Sequence, residues 1–212
     1  MNPYPTLSGE TLVVPIVGDP IAQVKSPDGI TRLFAGRGCD AVVVPLQVAA
    51  ADLDALLTGL SASASVGGLI ATVPHKFGLA GHCATLTGRA RFLGSANVAR
   101  RGPDGGWHGD HVDGAAFVAA VRTAGGTTDG ARALQVGAGG AGSAIALALL
   151  EAGVAELATP TPTPAGGTHS SRGSASASGT GSPPGHATRR GSTSSPTPPR
   201  WGCAPVTPTP WR

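Results

Sequence analysis

Short apolar runs alternate with helix-like patterns along the first 157 residues. Five short runs predict strands, and the first two are continuous and rich in β-branched residues, as buried parallel strands are. The five runs cover 11–17, 40–46, 67–73, 96–101 and 131–137. Apolar residues at helical spacing, with cap and stop residues at the ends, predict helices between them. These cover 26–38, 49–60, 110–125 and 141–153, with one more beginning after Pro74. The alternation predicts an α/β fold with a largely parallel sheet.

The apolar pattern stops after Leu157. Residues 158–212 contain no Leu, Ile, Met, Phe, Tyr, Asp, Glu or Lys and are rich in Pro, Ser, Thr and Gly. Such a segment buries too little apolar surface to offset its ordering entropy, so it is predicted to be a disordered tail. Its residue types are those that GC-rich codons encode when they are read out of register. We therefore expect a chain that is truncated or frameshifted after about residue 157, which translation of the coding DNA in its other two frames would test.

Charge is unevenly distributed along the chain. All 12 acidic residues lie at or before Glu156, whereas five of the 15 Lys and Arg residues lie in the tail. The excess positive charge belongs to the tail, so the body gives no reason to expect a nucleic-acid partner. No apolar run approaches the ~18 residues of a membrane span, and the N-terminus lacks a signal-peptide pattern. These features predict a cytoplasmic protein that does not contact membranes.

A glycine-rich loop between the last predicted strand and helix is the strongest local motif. Gly137, Gly139 and Gly142 have the spacing G-x-G-x-x-G. In a dinucleotide site these glycines allow a tight turn, a close approach of pyrophosphate and close packing of helix on strand. The alternative is a plain turn in a glycine-rich chain, but the strand–loop–helix context favours phosphate binding. The segment after Leu157 has neither the acidic residue that selects NAD nor the arginine that selects NADP.

Polar side chains also stand at the ends of other predicted strands. Lys76, one of only two lysines, follows A-T-V-P-H, where an ammonium can donate a proton or stabilise an oxyanion. Taken alone, it is more simply a solvated charge. Asp113 is either a helix-capping carboxylate or half of a Lys–Asp pair. The segment 18–27 is either a ligand-binding strand end or a plain turn with Ser26 as a helix cap. No His or Cys cluster has metal-ligand spacing, so we assign no metal.

Five motifs, in this order, resemble those of the shikimate dehydrogenase family. They are GDPIAQVKSP, IATVPHK, SAN, HVDG and GAGGAG, across roughly residues 11–157. The family's counterparts are G-x-P-I-x-x-S-x-S-P, V-T-V-P-H-K, A-V-N, N-T-D-G and G-A-G-G-A-G. Val24, Ile70 and the pair His111-Val112 replace hydroxyl or amide side chains. The chain therefore resembles a divergent branch of the family, and its substrate stays open between shikimate, quinate and another polyol acid.

The resemblance implies an N-terminal α/β substrate-binding domain over residues 11–102. A linker helix and a partial Rossmann NADP-binding domain follow over 103–157, and the disordered tail covers 158–212. It also implies an NADP-dependent oxidoreductase that reversibly reduces 3-dehydroshikimate to shikimate, a step of chorismate and aromatic amino acid biosynthesis. In that reading the chain is incomplete and poorly active, and NAD remains an alternative cofactor.

Site residues follow from the resemblance by position. Lys76 and Asp113 would be the catalytic pair, with the proton-transferring member left open. Ser26, Thr72 and Asn97 would bind the substrate. The cofactor phosphates would lie on Gly137, Gly139, Gly140, Ala141 and Gly142. The oligomeric state stays open, with a homodimer as one alternative. A different class of function also remains, a non-catalytic α/β binding domain with a disordered Pro-rich interaction tail that carries PTPPR at 196–200.

Overall fold

The computed structural model describes residues 6–102 and 104–160. In chain order the strands are β1 (Leu12–Gly18), β2 (Ala41–Gln47), β3 (Gly68–Ala71), β4 (Thr85–Leu86), β5 (Val98–Arg101), β6 (Trp107–Asp110), β7 (Arg132–Leu134) and β8 (Glu156–Ala158). The helices are α1 (Ser26–Gly36), α2 (Leu53–Ser61), α3 (Lys76–His82), α4 (Gly88–Leu93), α5 (Asp113–Thr123) and α6 (Gly140–Glu151), with a 3-10 turn at Ala50–Asp52. The predicted tail and its PTPPR segment lie outside the described residues from residue 161 onward.

A mixed six-stranded sheet, in the order β2-β1-β3-β5-β6-β4, organises residues 12–110. β1 pairs in parallel with β2 and β3, and β4 pairs in parallel with β6. β5 runs antiparallel to both β3 and β6. The predicted α/β class is confirmed, but the sheet is less uniformly parallel than the pattern indicates. β5 and β6 are antiparallel because their connection is short. A parallel pair needs a crossover of a dozen or more residues, and only five separate Arg101 from Trp107.

Apolar side chains pack on both faces of this sheet. On one face, Val14, Ile16 and Val43 contact Ile30 and Phe34 of α1. On the other face, the core cluster contains Val17 and Leu69 from the sheet, Leu53 and Leu57 from α2, and Leu79 from α3. Burial on both faces explains why β1 is an unbroken apolar run instead of an alternating one. This two-sided core fixes the sheet edge at which the candidate site lies.

The glycine-rich loop belongs to a second, smaller unit. β7, α6 and β8 form a β-α-β segment in which the two strands pair in parallel. This is the beginning of a Rossmann domain, as the sequence predicts. α6 packs along α5, and the helices approach most closely at Gly114, where an added Cβ would lie 2.1 Å from the carbonyl oxygen of Ala144. β8 ends at Ala158, so the predicted tail, 158–212, overlaps this strand by one residue.

Several short elements escape the sequence pattern. β4 has two residues, and β6 has the sequence WHGD, which carries little apolar character. α4 has six residues, is capped by Thr87 and ends at Gly94 with φ +62°.

Ser26 is the first residue of α1, which has no side-chain cap, so the prediction of Ser26 as a cap is wrong. No helix among the described residues is long and apolar enough to span a membrane.

Candidate active site

Three polar residues from separate strand ends meet at one edge of the sheet. Lys76 begins α3 shortly after β3, and Asp113 begins α5 shortly after β6. Asn97 lies immediately before β5, and because β5 is antiparallel to both strands, its beginning is at the edge where theirs end. The backbone fixes this arrangement: Ala71 N donates to Asn97 O at 2.9 Å, and Asn97 N donates to Asp110 O at 3.0 Å.

Lys76 and Asp113 form an ion pair at this edge. Lys76 Nζ donates to Asp113 Oδ2, and the side chains are 11% and 29% exposed, respectively. Asp113 stands in the first turn of α5, where the positive end of the helix dipole stabilises a carboxylate. A buried charge that loses its partner is costly, at roughly 3–5 kcal/mol. The pair therefore holds an ammonium at a fixed point next to a carboxylate.

Asn97 fixes the orientation of the Asp113 carboxylate. Its Nδ2 donates to Asp113 Oδ1 at 2.6 Å, and its Oδ1 accepts from Val112 N at 2.9 Å. The two oxygens of Asp113 are thus assigned, one to Lys76 and one to Asn97. An amide has two N–H donors and two acceptor lone pairs, so Asn97 retains one of each for a ligand. The sequence marks Asn97 as a substrate residue but gives no indication of its bond to Asp113.

Thr72 and Ser26 are less tightly connected to the pair. Thr72 is half-buried next to Gly18, where an added Cβ would lie 2.5 Å from Thr72 Cγ2, so only glycine fits there. Neither the Thr72 nor the Ser26 hydroxyl has a hydrogen bond within the described part of the chain. Ser26 is exposed at the start of α1. The structure brings Lys76, Asn97 and Asp113 together and records no contact between Ser26 and them.

The four residues that depart from the family pattern are at least partly buried or form a backbone hydrogen bond. Val24 and Ile70 are partly buried and pack against the cluster of Val14, Ile16 and Val43. Val112 contributes its backbone N–H to Asn97. His111 is almost fully buried, at 1% exposure. Val24 and Ile70 are thus packing residues in this chain, whereas a hydroxyl or an amide at these positions could bind a ligand.

The glycine-rich loop has the geometry of a phosphate cradle. Gly137 has φ +96°, a conformation that favours glycine. An added Cβ on Gly142 would lie 2.4 Å from Gly137 O, so the loop and the first turn of α6 pack too closely for a side chain. Gly139 has no heavy atom within 4 Å of such a Cβ, which leaves room for a ligand. Gly140 and Ala141 follow in the first turn of α6, whose N–H groups are free to bind an anion.

The glycine-rich loop also touches Lys76. A Cβ added to Gly140 would lie 3.2 Å from Lys76 Cδ, so the aliphatic stem of the lysine packs directly on the first turn of α6. The predicted phosphate site and the predicted catalytic pair are therefore adjacent. The sequence predicts both sites separately, but their contact depends on how α6 packs against α5.

A charged network lies beside the site. Asp110 accepts from Thr87 Oγ1 at 2.6 Å, from Arg89 Nε at 2.7 Å and from His111 N at 2.7 Å. Burial raises the pKa of Asp110, but these hydrogen bonds outweigh it and the net pKa is lowered. Burial lowers the pKa of His111. Within the described ranges no group of three or more His, Cys, Asp or Glu residues is arranged to hold a metal ion.

Known proteins are similar to this chain in sequence and in fold. The family model for the shikimate dehydrogenase substrate binding domain matches residues 16–99. Shikimate dehydrogenase (NADP(+)) of Anaeromyxobacter sp. (strain K) is 41% identical over 135 residues, which cover 64% of this chain and 48% of that protein. Shikimate 5-dehydrogenase from Listeria monocytogenes, solved with shikimate and NAD, has a TM-score of 0.66 and 27% identity, covering 72% of this chain and 52% of that one. The ligand-free 5-ketofructose reductase of Gluconobacter sp. strain CHM43 has a TM-score of 0.63 and 27% identity, covering 70% and 55%.

The similarity to the Anaeromyxobacter enzyme, over 135 residues, is longer than the segment that the family model matches. The chain spans about half the length of the curated relatives it matches. Residues 16–99 match the shikimate dehydrogenase substrate binding domain, and the chain is similar to shikimate dehydrogenases over the matched segment.

Proposed function

We propose that this chain carries the substrate site and phosphate loop of an NADP-dependent dehydrogenase that interconverts 3-dehydroshikimate and shikimate. The observation that carries the proposal is the Lys76–Asp113 ion pair, oriented by Asn97 and packed against Gly140 of the glycine-rich loop. This arrangement puts a proton donor next to a place for a dinucleotide. The names of the curated relatives support NADP as the cofactor.

The glycine-rich loop fits the pyrophosphate of such a cofactor. Gly137, Gly139, Gly140, Ala141 and Gly142 would hold it through backbone N–H groups, with open space at Gly139. Among the described residues, β8 is followed by Thr159 and Pro160, and neither has a charged side chain that could bind the ribose. The loop therefore supports dinucleotide binding, and the preference for NADP over NAD rests on the relatives. A bound nicotinamide would supply or accept the hydride.

The protein groups of this site would handle the proton. In the reductive direction, Lys76 Nζ donates a proton to the carbonyl oxygen as that oxygen gains charge. Asp113 keeps the ammonium aimed by accepting from it, and Asn97 keeps the carboxylate from turning. In the oxidative direction, the neutral amine of Lys76 accepts the hydroxyl proton and becomes the ammonium again. Lys76 is the better proton donor of the two because the Asp113 carboxylate is already occupied by two hydrogen bonds.

Ser26, Thr72 and Asn97 would bind the hydroxyl and carboxylate groups of the substrate. Asn97 has spare hydrogen-bonding capacity, and Thr72 and Ser26 have hydroxyls not used within the described residues. Apolar Val24 and Ile70 offer no such group. The fold similarity to 5-ketofructose reductase indicates that related sites act on other polyols. The substrate class is therefore a polyol or polyol acid, with shikimate favoured by the relatives.

The proposal extends to the organisation of the chain. Residues 11–102 form the substrate-binding domain, and residues 103–157 form the linker helix and the start of the cofactor domain. The two separate sheets support this division. α5 follows the first sheet in the chain and packs on α6 of the second unit at Gly114, as a linker helix would. A cytoplasmic location and a homodimeric assembly complete the proposal.

The decisive experiment compares the two lysines of the chain. Residues 11–157 are grafted in place of the matching segment of the Anaeromyxobacter enzyme, and shikimate oxidation is followed at 340 nm with NADP. The Lys76→Met variant should lose ~10²-fold or more in kcat, the usual effect of a positioned acid–base group. Lys25→Met, which changes the only other lysine, should leave kcat nearly unaltered. An unchanged kcat in Lys76→Met would exclude Lys76 from catalysis.

A further inference from the structure

A cleft whose lining does not include Lys76 or Asp113 lies against α5. It has a volume of about 370 Å³ and is bounded by α4, α5 and α6. Its lining combines the polar side chains of Arg89, His111, Arg122 and Glu151 with apolar residues of both long helices. These apolar residues include Ala115 and Val118 from α5 and Leu147 and Ala148 from α6. The volume is in the range of small-molecule sites, at roughly 300–1,000 Å³. No step of the proposed dehydrogenase reaction uses this space.

His111 lines the cleft and has no hydrogen-bond partner among the described residues. The residue is 1% exposed, and both Nδ1 and Nε2 are buried and unpaired within that part of the chain. Burial of an unsatisfied polar group is costly, so nearly all such groups are paired in folded proteins. Burial also lowers the pKa of His111, which keeps the ring neutral at neutral pH. A neutral imidazole has one N–H donor and one acceptor nitrogen on different sides of the ring, and a ligand hydroxyl can pair with either one.

The two arginines that line the cleft differ in their partners. The guanidinium of Arg89 is occupied by the carboxylate of Asp110. Arg122 has no ion pair or hydrogen bond among the described residues, and Glu151 of α6 also lines the cleft. Asp113 and Arg122 are separated by a rise of about 14 Å along α5, and the Arg122 side chain inclines back toward the helix N-terminus.

We propose that this cleft binds a small hydroxy acid with an apolar body. Its hydroxyl would form a hydrogen bond with one ring nitrogen of His111, its body would lie along the Ala and Leu residues of α5 and α6, and its carboxylate would pair with Arg122. Glu151 would repel a second carboxylate, which favours a monocarboxylate. This inference is independent of the dehydrogenase proposal, because it uses neither Lys76 nor the glycine-rich loop.

The test measures the His111 ring directly. The full chain, labelled with ¹⁵N-histidine, is titrated with 4-hydroxyphenylacetate while the side-chain ¹⁵N signals are recorded. We expect a saturable shift of the His111 signals, assigned by comparison with His111→Phe. Phenylacetate, which lacks the hydroxyl, should bind about tenfold more weakly, as expected for one lost hydrogen bond to a buried group. No shift of the His111 signals at saturating probe overturns the proposal.

Variants separate this cleft from the catalytic site. Arg122→Gln changes an exposed side chain and should weaken binding of the probe by about tenfold or more. His111→Asn retains a donor and an acceptor and provides a second test if His111→Phe does not fold, as judged by circular dichroism. Gly139→Ala, in the glycine-rich loop, adds a Cβ with no heavy atom within 4 Å and should leave the affinity unchanged. Equal affinity in wild type and Arg122→Gln, or loss of binding in Gly139→Ala, contradicts the proposed site.

Discussion

Lys76 is held by two segments that lie far from it in the sequence. Asp113, 37 residues away, binds its ammonium, and Gly140 packs on its stem. The motifs predict Lys76, Asp113 and the glycine-rich loop from the sequence. They do not predict the contact with Gly140, because it arises from the packing of α6 against α5 and no local pattern encodes it. The same limitation applies to Asn97, whose bond to Asp113 follows from the antiparallel course of β5.

The Gly140 contact makes a prediction about the lysine in the absence of cofactor. In Gly140→Ala, the new Cβ would lie 3.2 Å from Lys76 Cδ, and the stem must shift by a few tenths of an ångström. We expect changed ¹³Cε and ¹Hε shifts for Lys76 and weaker pairing with Asp113. Gly139→Ala is the matched control, because its Cβ would meet nothing within 4 Å. Lysine signals that move in Gly139→Ala but not in Gly140→Ala would refute this contact.

Pairs of elements are positioned by close approaches that the sequence pattern leaves open. The periodic apolar residues predict α5 and α6, but the depth of their contact depends on Gly114, which the sequence alone presents only as part of HVDG. In β6, by contrast, the sequence pattern does not predict the element at all, because its residues are too polar. The short connection from β5 nevertheless makes β5 and β6 a hairpin, and this hairpin places Asp110 and Asp113 at the site.

Substitution of Gly114 should separate α5 from α6. In Gly114→Ala, the added Cβ would lie 2.1 Å from Ala144 O and 2.8 Å from Ala148 Cβ, so the helix backbones must move apart. We expect a loss of about 1–3 kcal/mol or more in the free energy of unfolding, measured by urea denaturation. Gly29→Ala, in the middle of α1 with open space around it, should instead gain roughly 0.5–1 kcal/mol. Similar effects of the two substitutions would show that the α5–α6 contact is loose.

The Arg89–Asp110 ion pair joins α4 to the β6–α5 turn, and its contribution to the free energy of unfolding should depend on pH. The pKa of Asp110 is lowered below its ordinary value of 3.8, so its stabilising effect is complete above that value and is lost as pH falls through the folded pKa. Arg89→Gln should therefore cost up to about 1 kcal/mol at pH 7, and this cost should shrink below pH 3.8. Arg91→Gln is the control on the same helix, because Arg91 donates to the carbonyl of Leu86, which does not titrate. A cost for Arg89→Gln that is constant with pH would contradict the ion pair.

The two sheets of the molecule differ in how well they are covered. The six-stranded sheet has a core on each face, whereas the β7–β8 sheet has three residues in each strand and leaves Leu134 and Val136 at 73% and 82% exposure. The sequence predicts this contrast in outline, since apolar periodicity is dense before residue 103 and ends after Leu157. It does not predict which side chains remain uncovered, because that depends on neighbours in space.

This uncovered face should make the chain self-associate. Leu134 and Val136 border a groove lined by Phe117, Ile145 and Leu149, and a continuous exposed apolar surface of this kind favours association. Because the strand edges of β7 and β8 are also free among the described residues, a second copy can pair with them. We expect concentration-dependent sedimentation at micromolar chain, and the double substitution Leu134→Gln with Val136→Thr should weaken it by at least tenfold. Phe92→Ser removes an apolar side chain that is 78% exposed on α4 and should have little effect. A chain that stays monomeric at all concentrations, or one that responds equally to both changes, would show that this face does not drive association.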